Sequence, residues 1–254
     1  MSHQDRPGPW TVLMVCTGNL CRSPLAEYLA AAHFPPGAAR RPLIRSAGVL
    51  AHPDEPMHPH AAALLRARGT EPDAFRSRRL TKELVDGSDL VLCATRQHRS
   101  TVVGLVPRAL RRTYTMREFG RLTSAVRLAD LPTGQVRPAG EFLTAAAWRA
   151  RAAGRVVPVA VDDLTDPIEE GRAGFETCAA VINDALSGPM SLLARACQAW
   201  RAVPRPRQPL DRGPGATGHT DVAGHTDLAG HTDVAGHTDV VSHAAGPDGG
   251  QASG

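Results

Sequence analysis

Between Cys16 and Pro24 the chain reads CTGNLCRSP, a cysteine and an arginine six positions apart with a serine directly behind the arginine. Those residue types suit attack on phosphorus. A nucleophilic cysteine must be a thiolate, and an unperturbed thiol of pKa about 8.5 is only about 3% ionised at neutral pH. A helix N-terminus and a nearby guanidinium lower that value, and this stretch offers both. Ser23 and Pro24 are favoured at an N-cap and at the first helical position. The backbone N–H groups from Thr17 through Gly18, Asn19, Leu20 and Cys21 to Arg22 can curl into an anion-binding nest. Gly18 permits close approach and positive φ, and Asn19 tolerates the left-handed conformation. Arg22 presents a planar fork to two phosphate oxygens, which a lysine cannot reproduce. The Ser23 hydroxyl can donate to the Cys16 sulfur and make it a better leaving group. A plain helix-capping turn accounts for Ser23 and Pro24 but not for the cysteine, glycine, asparagine and arginine at this spacing.

Such a loop needs a strand before it and a helix after it. The aliphatic run TVLMV (residues 11–15) predicts a buried strand, and residues 24–33 a helix with Leu25, Tyr28, Leu29 and Ala32 on one face. Further strands are predicted within 42–49, 89–94 and 111–119, and helices over 60–68 (stopped by Gly69), 80–85, 96–105 and 141–153. Residues 174–200 read as a long helical region interrupted at 187–189, where the sequence is SGP. Alternating elements with non-alternating aliphatic strands predict an α/β fold. The expected architecture is three-layer α/β/α with a central four-stranded parallel sheet and the phosphate loop after the first strand. Ligands of such sheets sit beyond the carboxyl ends of the strands, where this loop falls.

The expected domain covers residues 8–202. Residues 203–254 start with Pro/Gly-rich linker composition and then repeat GHTDVA-type hexads four times from Gly218 to Val241. That segment has too little apolar area to offset the entropy of ordering and is expected to be a disordered tail. It carries three Arg against six Asp, so the net charge of +4 understates the basicity of the preceding domain. A basic domain suits an anionic substrate; few aromatics and no binding motif argue against nucleic acid. No apolar run is long enough to span a bilayer and the N-terminus lacks an apolar signal segment, so a cytoplasmic location is expected. Five cysteines without a CxxC pair imply reduced thiols and argue against a structural zinc site; no metal or cofactor is expected, since Arg22 and the loop N–H groups can neutralise phosphoryl charge. Cys93, Cys178 and Cys197 read as packing residues. His52, His58, His60 and His98 read as surface or loop residues.

The stretch VCTGNLCRSPLAE closely resembles the signature loop of the low-molecular-weight protein tyrosine phosphatases, and of the arsenate reductases that share their fold. RSAGV (residues 45–49), SRRL (77–80), DLVLCA (89–94) and VDDLTDPIEE (161–170) resemble later family segments. The resemblance implies Cys16 as nucleophile, Arg22 as phosphate clamp, Asn19 as loop organiser and Ser23 as partner of the thiolate. It implies Cys21 as a vicinal cysteine able to form a reversible disulfide with Cys16, and Ser46 as a contact behind the loop. Asp166, in the chain's one Asp-Pro, becomes the general acid, with Asp162 and Asp163 as competing carboxylates. The implied activity is phosphomonoester hydrolysis on a phosphorylated protein or small aryl phosphate; the oligomeric state is left open.

Two departures bear on specificity. Ile168 stands where tyrosine-specific members carry an aromatic after Asp-Pro, and LAHPDEP follows the SAG element where an aromatic is often found. Residues 121–155 are longer than in compact members and are expected to add helices near the site entrance. An arsenate reductase using Cys16, and a non-catalytic phosphate-binding module, are the alternatives; an intact cysteine, arginine and aspartate set counts against the module, and a leaving-group acid counts against arsenate reduction.

Overall fold

The computed structural model describes residues 8–35, 41–154 and 161–199. The linker and repeat tail, and the expected domain boundary at 202, lie outside the described residues. Strands β1 (Thr11–Cys16), β2 (Leu43–Gly48), β3 (Leu90–Cys93) and β4 (Thr113–Thr115) form one sheet in the order β2-β1-β3-β4. Every pairing is parallel, with Met14 beside Ser46 and Leu92, and Leu92 beside Tyr114.

The two-residue period of a strand explains the layers. Val12, Met14, Leu90, Leu92 and Tyr114 face one core, covered by α1 (Arg22–Ala31), α2 (Pro59–Arg66), α5 (Met116–Thr123), α6 (Val136–Ala152) and α7 (Gly171–Ala199). Leu13, Val15, Val91 and Cys93 face a smaller core under α3 (Lys82–Asp86), α4 (Arg96–Leu105) and the 3-10 turn Pro107–Arg112. Both faces are buried, which is why the strands read as continuous aliphatic runs. β4 stops after three residues because Thr115 caps α5, its hydroxyl accepting from the Glu118 N–H while the Glu118 carboxylate takes the Thr115 N–H. No helix among the described residues is long and apolar enough to cross a membrane.

Two sequence expectations are overturned here. The predicted break at 187–189 is absent: α7 runs continuously through Pro189. Proline cannot donate to the carbonyl four residues back, here that of Ala185. Gly120 of α5 lies against that carbonyl, so closely that a Cβ on Gly120 would stand 2.2 Å from its oxygen. Packing against α5 holds the helix where propensity alone would end it.

The expected placement of added helices at the site entrance also fails for α6, the long helix within residues 121–155. Arg137, in the first turn of α6, bonds Asp89 and the carbonyls of Gly8 and Pro9, which lead into β3 and β1. That is the end of the sheet opposite the phosphate loop. The helix is drawn there by its apolar stripe: Gly140 lies on the fully buried Trp10, whose ring a Cβ would meet at 2.3 Å.

Gly120→Ala forces a methyl into backbone with no side chain to yield, so it is expected to cost about 1–3 kcal/mol. Urea unfolding reads this directly, and an unchanged midpoint would show that α5 and α7 can separate without loss.

Candidate active site

Cys16 ends β1, and α1 begins at Arg22 with Cys21 as its N-cap. Ser23 is therefore not the cap that the sequence suggested. It sits one position inside the helix, where its hydroxyl lies 2.9 Å from the Cys16 sulfur. Pro24 is still in the first turn, where no intrahelical N–H is required. The left-handed residue is Asn19, at φ 57°, and not Gly18. Leu20 is half-buried against the core, and Cys21 is buried beside it in the chain, its thiol pushed up to about 12, chiefly by burial and then by Cys16.

The fully buried Asn19 amide ties the loop to its surroundings. Its Nδ2 donates to Ser23 Oγ and to Ser46 Oγ, each at 2.9 Å, and its Oδ1 accepts from the Arg78 N–H at 2.9 Å. Ser46 in turn donates to Glu27 Oε2 at 2.5 Å. Burial raises the Glu27 carboxyl pKa, opposed by the Ser46 bond and by Arg78 and Arg45. A hydrogen-bonded line thus runs Glu27–Ser46–Asn19–Ser23–Cys16. Sequence reasoning missed Glu27; the one signal was a lone acid on the otherwise apolar stretch PLAEYLA. Behind the loop, the N–H groups of Val49 and Leu50 donate to the carbonyls of Cys16 and Thr17. A Cβ on Gly48 would stand 2.4 Å from the Thr17 oxygen and 2.7 Å from the Asn19 nitrogen, so only glycine fits.

Arg22 is buried and held at both terminal nitrogens. Nη1 donates to the Leu164 carbonyl at 3.2 Å, and Nη2 to Thr17 Oγ1 at 3.2 Å and to the Asp166 carboxylate. Its Nε, also buried, has no partner. The three carboxylates of residues 162–166 divide their work. Asp162 takes Arg121 with both oxygens at 3.1 Å. Asp163 accepts from the Arg96 N–H at 2.7 Å, and the Leu164 N–H reaches the Ala94 carbonyl at 2.9 Å. These bonds pin the segment to the end of β3 and leave Asp166, half-exposed, against Arg22.

His98 was expected at the surface and is instead buried, with Nε2 2.9 Å from Thr17 Oγ1 and Nδ1 2.7 Å from Thr95 Oγ1. Burial, then Arg22, lowers its pKa to about 4. Nothing local in TRQHRS marks it out; only the fold brings α4 to the loop. His58 likewise reaches the site, its N–H donating to the Leu20 carbonyl at 3.0 Å and its ring stacking on Phe175 at 4.6 Å. Cys93 and Cys178 are buried, both pushed up in pKa chiefly by burial; Cys197 is half-buried. Leu50 and Ile168 are the most exposed large hydrophobics among the described residues, at 62% and 53%.

A parallel sheet whose first strand ends at Cys16, followed by a loop and a helix that opens on the buried Arg22, is the arrangement with which the comparisons agree. Residues 11–133 match the family model described as low molecular weight phosphotyrosine protein phosphatase. The chain is 38% identical over 111 residues to a protein-arginine-phosphatase of Geobacillus stearothermophilus, spanning 44% of this chain and 72% of that one. It is 33% identical over 97 residues to the low molecular weight protein-tyrosine-phosphatase Etp of Escherichia coli, spanning 38% and 62%. In structure it resembles the YwlE arginine phosphatase of Geobacillus stearothermophilus (TM-score 0.52, 24% identity, 76% of this chain and 96% of that). It resembles the Erwinia amylovora tyrosine phosphatase amsI to the same degree of fold (TM-score 0.52, 21% identity, 75% and 97%). The chain belongs to the low molecular weight phosphotyrosine protein phosphatase family and is a hydrolase of phosphoric monoesters.

Two outcomes follow from this geometry. Gly48→Ala is expected to abolish phosphatase activity and lower the melting temperature, since backbone rather than side chain blocks the methyl; an active Ala variant would show that the loop can shift. The folded His98 pKa is depressed from an unfolded value of about 6.5, so its contribution to stability is complete above about pH 6.5. As pH falls toward about 4, the unfolded chain gains a proton that the native state refuses, and stability drops. His98→Gln should flatten that part of the stability–pH curve relative to wild type, and identical curves would contradict a neutral buried imidazole.

Proposed function

We propose that the chain removes phosphate from phosphorylated protein side chains through a covalent phosphocysteine at Cys16. The observation that carries this reading is the Arg22 Nε, one of four buried side-chain donors without a partner among the described residues and the one that shares the strand-to-helix loop with Cys16, whose sulfur lies 2.9 Å from Ser23 Oγ. An anion seated in the loop satisfies it.

In the first step the Cys16 thiolate attacks phosphorus, the bond from phosphorus to the leaving oxygen breaks, and Asp166 gives that oxygen its proton. In the second step water attacks the phosphocysteine, Asp166 takes the water proton, and the S–P bond breaks to release inorganic phosphate and the thiolate. Ser23, 2.9 Å from the sulfur, donates to it as it departs. Arg22 and the loop N–H groups bear the developing charge on the phosphoryl oxygens. The carboxylate that serves as acid must first leave Arg22, and an incoming phosphate supplies the competing negative charge.

The substrate side chain we favour is phosphotyrosine. Leu20 lies within the loop, Leu50 donates its N–H to the Thr17 carbonyl and Ile168 follows Asp166 by two residues; Leu50 and Ile168 are exposed, so they offer aliphatic surface near the loop for an apolar ring. Phosphoarginine is the second reading, favoured by the relatives named as arginine phosphatases.

Purified protein is assayed on an aryl phosphate and on paired phosphotyrosine and phosphoarginine peptides. Cys16→Ser is expected to eliminate turnover, and Asp166→Asn to slow it by about 10²–10⁴-fold, least for substrates with good leaving groups. Turnover that survives Cys16→Ser would end the phosphocysteine mechanism. A kcat/KM advantage for the phosphoarginine peptide would transfer the assignment to the second reading, and arsenate reduction without phosphatase activity would replace both.

A further inference from the structure

We infer that His98 is a positioning residue of the phosphate site, acting through the Thr17 hydroxyl to fix the Arg22 guanidinium. The inference rests on the phosphatase reading of the loop. Arg22 Nη2 donates to Thr17 Oγ1 at 3.2 Å, so that oxygen must turn a lone pair toward the guanidinium. Its single hydrogen is then free to go to the neighbour 2.9 Å away, His98 Nε2. The other ring nitrogen, Nδ1, lies 2.7 Å from Thr95 Oγ1, which also accepts from the His98 backbone N–H at 3.3 Å.

The Arg22 charge decides where the ring proton sits. A hydrogen on Nε2 would point through Thr17 toward the guanidinium. A hydrogen on Nδ1 points away, into the Thr95 oxygen at the N-cap of α4. The chain therefore runs Arg22 N–H to Thr17 oxygen, Thr17 O–H to Nε2, and Nδ1–H to Thr95, each donor feeding the next. The charged groups acting on the ring besides Arg22 are Asp166 and Asp163, which favour the imidazolium; burial and Arg22 outweigh them, and the imidazole is neutral.

Thr17 Oγ1 can meet Arg22 only in a χ1 well that points it at the guanidinium. His98 selects that well. With Nη1 on the Leu164 carbonyl and Nη2 on Thr17, the guanidinium plane is set and the vacant Nε edge is left for phosphate. His98 touches neither substrate nor sulfur in this account; it sets the direction of the group that does.

The experiment compares wild type with Thr17→Val, Thr17→Ser, His98→Ala, His98→Gln and the Thr17→Val/His98→Ala double variant. The readouts are kcat and KM on an aryl phosphate and the Kd of inorganic phosphate by calorimetry. Thr17→Val and His98→Ala are each expected to raise KM and the phosphate Kd about tenfold, with the double variant no worse than the weaker single one. Thr17→Ser keeps the hydroxyl and is expected to lose less than Thr17→Val, and His98→Gln, which retains an acceptor, recovers part of the loss seen in His98→Ala. Multiplying effects in the double variant would overturn the coupling. So would a lower kcat at unchanged KM and phosphate Kd, the pattern of a folding defect. A wild type that binds phosphate but hydrolyses no phosphomonoester defeats the phosphatase reading alone, since the phosphate Kd still tests the Thr17–His98 coupling.

Discussion

The buried side chain of Asn19 is the constraint on which the site depends. A primary amide taken out of water must place two donors and an acceptor, or lose about 1–3 kcal/mol for each group left unmet. Asn19 meets them on three different pieces of chain: Ser23 in the first turn of α1, Ser46 in β2, and the Arg78 backbone before α3. The left-handed backbone at Asn19 would be strained in isolation and is held by those three bonds. Satisfying one side chain thus sets the loop's curvature, its distance from β2 and the orientation of the Ser23 hydroxyl toward sulfur.

The rest of the fold serves that placement. Parallel pairing of β1 with β2 and β3 puts Cys16, Gly48 and Cys93 at one sheet end, and the glycine lets the loop lie directly on the β2 backbone. Residues 162–164 dock on the end of β3 through Arg96, Arg121 and Ala94, so the segment carrying Asp166 is anchored just before the aspartate. α6, outside the stretch matched by the family model, stays on the far side and covers Trp10. Its contribution is to the core.

What could be read beforehand follows how local each signal is. The strands, the loop and the order of helices show in periodicity and in one nine-residue motif, because buried parallel strands and phosphate loops write their requirements into adjacent residues. Pro189 misled because helix propensity is local, whereas the contact with Gly120 that keeps α7 intact is made 69 positions away. Ser23 misled because a serine before a proline has the grammar of a cap, yet its hydroxyl is spent on Asn19 and Cys16. Glu27 and His98 were invisible for another reason. Each has unremarkable neighbours in the chain, and its chemistry is defined by what the tertiary fold brings against it.

The pairing of Arg22 with Asp166 gives the resting protein an internal ligand. A carboxylate tethered to the same chain competes with any external anion at an effective concentration set by the anchored segment rather than by the solution. Occupancy of the loop is therefore an exchange, and its free energy is the difference between two ion pairs. A dianionic phosphate ester on a side chain has more charge with which to displace the carboxylate than a chloride has. In the proposed mechanism, a carboxylate returning to Arg22 would compete with the phosphate left behind. On that mechanism, one ion pair would act on both the entry of the substrate and the release of the product.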